Sequence, residues 1–293
     1  MQMSDTTLTP NVDTQQILAP GSPVAAPAAL PKPTQESLLS ISERIKDKFE
    51  ILNKVAHGVV DRHIRSLVIS GAPGCGKTRT LEEVFDDAVA SGKIEYTSKS
   101  GTVSAIGLYM LLHDHCDLHQ VLVLDDCDAA FADEEAVSLL KVALDTGKKR
   151  RLVSWNKASK VLEAEGYPKS FEFHGSLVVI SNTDFIGAIN RGNKIAPHYK
   201  AFMDRSVYLD MGIHTKREIL VRISQVVNTV EFRTVHNLSK SQVNEMFSWL
   251  HSNLDRLNML SIRTVLHIAG FVNVDTAGWK KLAENTLLAK KQY

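Results

Sequence analysis

Short apolar runs alternate with amphipathic stretches along most of this chain. Leu67-Val68-Ile69-Ser70, Val121-Leu122-Val123-Leu124 and Leu177-Val178-Val179-Ile180 are aliphatic and largely β-branched, and each run ends in polar residues. Runs this short and this apolar read as strands buried on both faces, as in a parallel sheet. Ile94-Glu95-Tyr96-Thr97 and Val207-Tyr208-Leu209 read as two further strands. Helical spacing fills the gaps, at Thr80 to Phe85, at Val103 to His115 and at Ala136, Leu139, Leu140 and Ala143. Strands and helices in alternation predict an α/β fold built on a doubly wound, mainly parallel five-stranded sheet.

The pattern changes at both ends. Leu38, Ile41, Ile45, Phe49, Leu52, Val55 and Val59 recur at helical spacing between basic residues, which predicts an amphipathic helix leading into the sheet. Its apolar stripe is expected to dock on the core or on a neighbouring subunit rather than on a membrane. Residues 1–35 are polar and then rich in Pro and Ala, a composition that cannot offset chain entropy by burial and reads as a disordered tail. Beyond Met211 the period is purely helical. Thr215 with Glu218 forms a capping box for a helix through Ile219, Ile223, Val226 and Val230, Ser239 with Gln242 forms another, Ser261 can cap a third helix, and Asp275 can start a fourth. The expected layout is a tail over 1–35, a helix and linker over 36–66, an α/β core over 67–211 and a small helical lid over 212–293.

The chemistry centres on Gly71-Ala72-Pro73-Gly74-Cys75-Gly76-Lys77-Thr78, which fits the phosphate-binding pattern G-x-x-x-x-G-K-[ST] between a strand and a helix. Its glycines let backbone N–H groups curl around a phosphate chain at the positive end of a helix. Lys77 is placed for the β- and γ-phosphates of ATP and Thr78 for Mg²⁺. Asp125 and Asp126 close the Val121 run at a strand's carboxyl end, the first suited to the metal and the second to polarising the attacking water. Asn182, at the tip of the next strand, can position that water.

This order of elements resembles the AAA+ ATPases over roughly residues 50–275. The resemblance implies Walker A at 71–78, Walker B ending at Asp125-Asp126, sensor 1 at Asn182, an arginine finger at Arg205 and sensor 2 at Arg263. Arg191 is a second finger candidate. The family usually ends Walker B in Asp-Glu; the Asp-Asp here implies either a closer water or slow turnover, with Glu134 and Glu135 as alternatives further along. By resemblance the active unit is a homo-oligomer, a hexamer, with sites between subunits, of the kind encoded by tailed phages and working in the host cytoplasm.

The substrate is less constrained. Gly147 to Lys157 and Phe171 to Gly175 read as arms of a hairpin inserted before sensor 1, over about 147–175. Lys149, Arg150 and Arg151 around Trp155 suit phosphate contact with base stacking, or else form a solvated basic turn. Lys99, after the second strand, falls where the family places a pore loop. These features favour a nucleic-acid motor or loader; a protein-remodelling ATPase recruiting a client through the N-terminal region, or an ATP-dependent assembly scaffold, are the alternatives. The net charge of +1 supplies no global basic field, so any nucleic-acid contact must be a local patch. Three cysteines without metal spacing predict a reducing interior. No apolar run reaches the ~18 residues of a membrane span, and no signal peptide is visible.

Overall fold

The computed structural model describes residues 36–289; the segment read as a tail, 1–35, lies outside them. Helix α1 (Leu38–Val60) starts at Ser37, whose side chain accepts the Ser40 N–H. It buries Ile41, Ile45, Leu52, Ala56 and Val59 against the sheet. Each fully buried Ile or Leu of this stripe contributes about 1.5–3 kcal/mol of apolar transfer. Then follow β1 (Ser66–Ser70), α2 (Lys77–Ala90), β2 (Glu95–Ser100), α3 (Ala105–Asp114), β3 (Gln120–Asp125) and α4 (Glu134–Ala143). A small antiparallel pair comes next, β4 (Leu152–Ser154) and β5 (Ser170–Glu172), with α5 (Lys160–Ala164) between its strands. The core closes with β6 (Ser176–Ser181), α6 (Phe185–Asn190), α7 (Ala196–Arg205) and β7 (Val207–Asp210).

The main sheet has the order β2-β3-β6-β1-β7, and all its pairings are parallel. The inner strands β1 and β6 are buried at every position, as their unbroken apolar runs require. Edge strand β2 is polar and largely exposed, which discourages pairing with another chain. The α/β core with a five-stranded parallel sheet, followed by a helical region, is the fold that the AAA+ resemblance implies.

The helical region comprises α8 (Lys216–Val227), α9 (Val230–Val235), α10 (Lys240–Ser252), α11 (Ile262–Val274) and α12 (Trp279–Leu287) around its own apolar cluster. Capping boxes form at Thr215 with Glu218 and at Ser239 with Gln242. Two boundaries differ from the sequence reading. The first lid helix does not continue to Val230, because Thr229 accepts the Phe232 N–H and caps a separate helix. The last begins at Trp279 rather than at Asp275, whose carboxylate instead accepts the N–H groups of Ala277 and Gly278 in a turn. Among the described residues no helix is long and apolar enough to cross a membrane.

Candidate nucleotide site

Three neighbouring strands deliver the candidate residues to one end of the sheet. β1 runs into the glycine loop, β3 ends at Asp125, and β6 ends one residue before Asn182. This is the carboxyl edge, where open α/β sheets bind ligands. The loop turns into α2 at Gly76, whose φ of 103° lies in the left-handed region that side chains disfavour.

Lys77 is 4% exposed. Its Nζ donates to the carbonyls of Gly71 (2.8 Å) and Ala72 (3.0 Å) and to Asn182 Oδ1 (3.0 Å). Burial lowers its pKa, while Asp125, Asp126 and Asp128 pull the other way. Thr78 Oγ1 donates to Asp125 Oδ2 at 2.9 Å. Burial raises the Asp125 carboxyl, the Thr78 hydrogen bond lowers it, and the neighbouring Asp126 raises it again. A hydroxyl bonded to a partly desolvated carboxylate is a suitable oxygen donor set for Mg²⁺, whose charge would draw that carboxyl back down.

Asp126 lies beyond the strand with φ of 56°, a conformation uncommon for non-glycine residues and tolerated best by Asn and Asp. Its N–H donates to Ile180 O at 3.1 Å, and its carboxylate accepts the Asn182 side-chain amide. Lys77, Asn182 and Asp126 therefore form one hydrogen-bonded chain from the loop to the second acid. All of them, with Thr78, Asp125 and Arg263, line a cavity of about 500 Å³ beneath α8, α9 and α11. Loop residues 71–73 lie outside the cavity lining, which begins at Gly74 and continues through Cys75 and Gly76. The cavity's size and donor set fit a nucleoside triphosphate with its metal.

Arg222 was missed by sequence reading. It lines the same cavity, and its Nε donates to Cys75 O at 3.1 Å. Its guanidinium lies 3.5 Å from the centre of the Phe49 ring of α1, and burial lowers its pKa to about 10. The signal was a cation next to the apolar stripe of α8. A second lid contact reaches the loop from α11, where the Ile262 N–H donates to Gly74 O at 3.1 Å. Helix α1 is tied to the lid in turn. Arg44 donates to Glu218 (2.6 Å) and to Gly212 O, and Gln225 donates to Ser42 O (2.7 Å).

The two finger candidates lie outside the cavity lining. Arg205 ends α7, donates to Ala201 O and sits 3.9 Å from Asp145. Arg191 is exposed, 4.0 Å from Asp184. Glu134 and Glu135 open α4, and Glu135 pairs with Lys157.

The hairpin residues divide. Lys149 and Arg150 are exposed, the latter 3.4 Å from Glu172. Arg151 and Trp155 are not available to nucleic acid, which corrects the reading of both as contacts. Arg151 is 2% exposed and donates to the carbonyls of Ala143 and Gly175, with its guanidinium 4.8 Å from the centre of the Phe173 ring. Trp155, 8% exposed, packs 5.9 Å from Tyr109 in the core. A two-stranded pair this short is not stable alone; Trp155 ties it to the core by apolar packing and Arg151 by its two carbonyl hydrogen bonds. Lys99 is exposed within β2 rather than beyond it, since the strand runs on to Ser100.

No protein-family model matches the chain. The chain is 40% identical over 249 residues to a protein of Enterobacteria phage T4 described as an uncharacterized 36.7 kDa protein in the nrdC-mobD intergenic region; the match covers 85% of this chain and 76% of that protein. Among solved structures, a DNA replication initiation factor is 12% identical with a TM-score of 0.45, over 83% of this chain and 65% of that one. Drosophila ORC bound to DNA is 13% identical with a TM-score of 0.40, over 91% and 70%. Likenesses at this level assign no role to the chain.

Proposed function

Given that the chain belongs to the family of the 36.7 kDa protein of phage T4, we propose that it is a magnesium-dependent AAA+ ATPase that works as a ring on nucleic acid. One observation carries the nucleotide part: Lys77, Thr78, Asp125, Asp126 and Asn182 meet in a single cavity, hydrogen-bonded as a Thr78–Asp125 pair and a Lys77–Asn182–Asp126 chain. Lys77 holds the β- and γ-phosphates, Thr78 and Asp125 hold the metal, and Arg263 meets the γ-phosphate from the lid. Asp126 polarises the attacking water and Asn182 orients it. The core over 67–211 carries the chemistry and the lid over 212–293 closes on it. Arg205, at the end of α7, acts on the site of a neighbouring subunit in a hexamer in the host cytoplasm.

Exposed Lys149 and Arg150 of the hairpin, with Lys99 on the edge strand, support phosphate contact. The inward-packed Trp155 removes the stacking aromatic, and this favours a second reading, a protein client. The exposed Leu38 and Leu39 at the start of α1 offer such a client an apolar hold. The test is Mg-ATP turnover with and without single-stranded DNA, duplex DNA and RNA. Stimulation that weakens steeply with salt and is lost on reversing Lys149 and Arg150 to Glu supports the nucleic-acid reading. No affinity for any of the three at low salt overturns it in favour of the protein client.

A further inference from the structure

Asp128 is the second acid after β3, two residues beyond Asp126, in a 3-10 turn over Asp128–Ala132. Its Oδ2 accepts two hydroxyl hydrogen bonds, from Ser181 Oγ (2.9 Å) and Thr183 Oγ1 (2.8 Å). These two residues flank Asn182. The carboxylate thus holds the residues on either side of Asn182, whose own amide bonds Lys77 and Asp126. The Thr183 N–H donates to Ser181 Oγ at 3.0 Å and tightens the same turn. A further bond, from the Asp126 N–H to Ile180 O, ties the two strand ends together one residue before Ser181. Asp128 Oδ1 is buried without a hydrogen-bond partner among the described residues. A half-satisfied buried carboxylate is costly, so its presence calls for a reason.

We propose that Asp128 is a positioning residue that fixes Asn182, and through it the Asn182–Asp126 pair, for ATP hydrolysis. The inference rests on reading the cavity as the site of that reaction. Asp128 touches neither the cavity lining's phosphate-binding loop nor the reacting atoms; it acts through the strand tip. Misplacing a reacting or orienting group by about 1 Å costs on the order of 10²-fold in rate. Releasing the tip should therefore slow turnover without much change in nucleotide affinity.

The experiment is a double-mutant cycle on the full chain, combining turnover with binding of a fluorescent ATP analogue. Asp128→Ala should lower kcat by about 10- to 100-fold while the affinity changes by no more than about twofold. Asp128→Ala in an Asn182→Ala background should cost nothing further, because both act through one group. Asp128→Asn keeps a carbonyl oxygen that can accept both hydroxyls and should retain most of the rate. If Asp128→Ala does not fold, Thr183→Val and Ser181→Ala remove the two donors singly and should each shift kcat in the same direction. Additive losses in the cycle, or an Asp128→Asn variant as slow as Asp128→Ala, overturn the proposal. The Asn182 side-chain amide resonances, assigned by their loss in Asn182→Ala, give a readout free of turnover. They should shift and broaden in Asp128→Ala and stay in place in Asp128→Asn. Should the wild type show no ATP turnover, the proposed function fails, and these resonances alone decide whether Asp128 holds Asn182; resonances unchanged in Asp128→Ala overturn that as well.

Discussion

Replacing Lys77 by Ala separates nucleotide binding from fold stability, and the structure sets both magnitudes. The Lys77 ammonium bonds the carbonyls of Gly71 and Ala72 and the Asn182 amide oxygen, at the wall of the cavity. Water can take over those acceptors, so the variant alone should lose only about 1–2 kcal/mol, a few degrees of melting temperature. Against ATP the loss is larger. Removing the cation from a buried contact with an anion costs about 3–5 kcal/mol, or roughly 10²- to 10³·⁵-fold in Kd. Wild type at a hundred times its Kd gains about 2.7 kcal/mol from ligand, which at about 2–4 °C per kcal/mol is roughly 5–10 °C. At the same ATP concentration the variant gains at most about 0.4 kcal/mol, or about 1 °C. Thermal melts of both proteins with and without Mg-ATP measure this directly. An equal ATP-induced rise in the two proteins would refute the assignment of Lys77 to the phosphates.

Asp126→Asn should keep nucleotide binding but slow hydrolysis, since the water loses its carboxylate partner; unchanged turnover assigns that role elsewhere. Arg205→Ala should bind ATP normally and hydrolyse it about 10³-fold more slowly, and mixing it with the Lys77→Ala chain should restore part of the activity. A mixture of subunit-exchanging variants that stays inactive shows that Arg205 does not act across subunits. Glu218 supplies a pH test. Burial opposes its charge, but the N–H groups of His214 and Thr215, with Arg44 and the Thr215 hydroxyl, outweigh that and bring its pKa down to about 2. A depressed carboxylate stabilises the fold above its unfolded value, about 4.5, and that contribution disappears as pH falls towards 2. Glu218→Gln can still cap the helix but loses the charge that faces Arg44 and the two N–H groups, so it should melt a few degrees below wild type at pH 7, with the gap narrowing below about pH 4.5 and closing only towards pH 2. A gap of constant size across that range would show that the Glu218 charge is not involved.

The elements that carry their own local signal were legible in the sequence. The inner strands announced themselves because a strand covered on both faces has no reason to alternate. The capping boxes at Thr215 and Ser239 read correctly because side chain and backbone satisfy each other within four residues. Lys77, Thr78, Asp125, Asp126 and Asn182 were found through spacing and position at strand ends, and the fold brings them together. What escaped depends on tertiary contact. Arg151 and Trp155 look like surface residues in a basic run, yet the short hairpin has to use them as anchors against α4 and Tyr109. Arg222 gains its place only when Phe49, far away in sequence, lies beneath it. Asp128 passes for loop acidity until Ser181 and Thr183 arrive from another strand.

The main-chain grip of the lid on the glycine loop has a thermodynamic corollary. Gly74 and Cys75 offer their carbonyls to Ile262 and Arg222, so the loop's shape and the lid's tilt share one free-energy surface. Helix α1 joins the same surface, through Arg44 and Gln225 and through the ring of Phe49. Linkage is reciprocal: a macromolecule that grasps α1 and favours one lid tilt changes ATP affinity by some factor, and ATP must change that macromolecule's affinity by the same factor. A nucleotide in the cavity and a macromolecule on α1 would thus sense each other along a path that never enters the sheet.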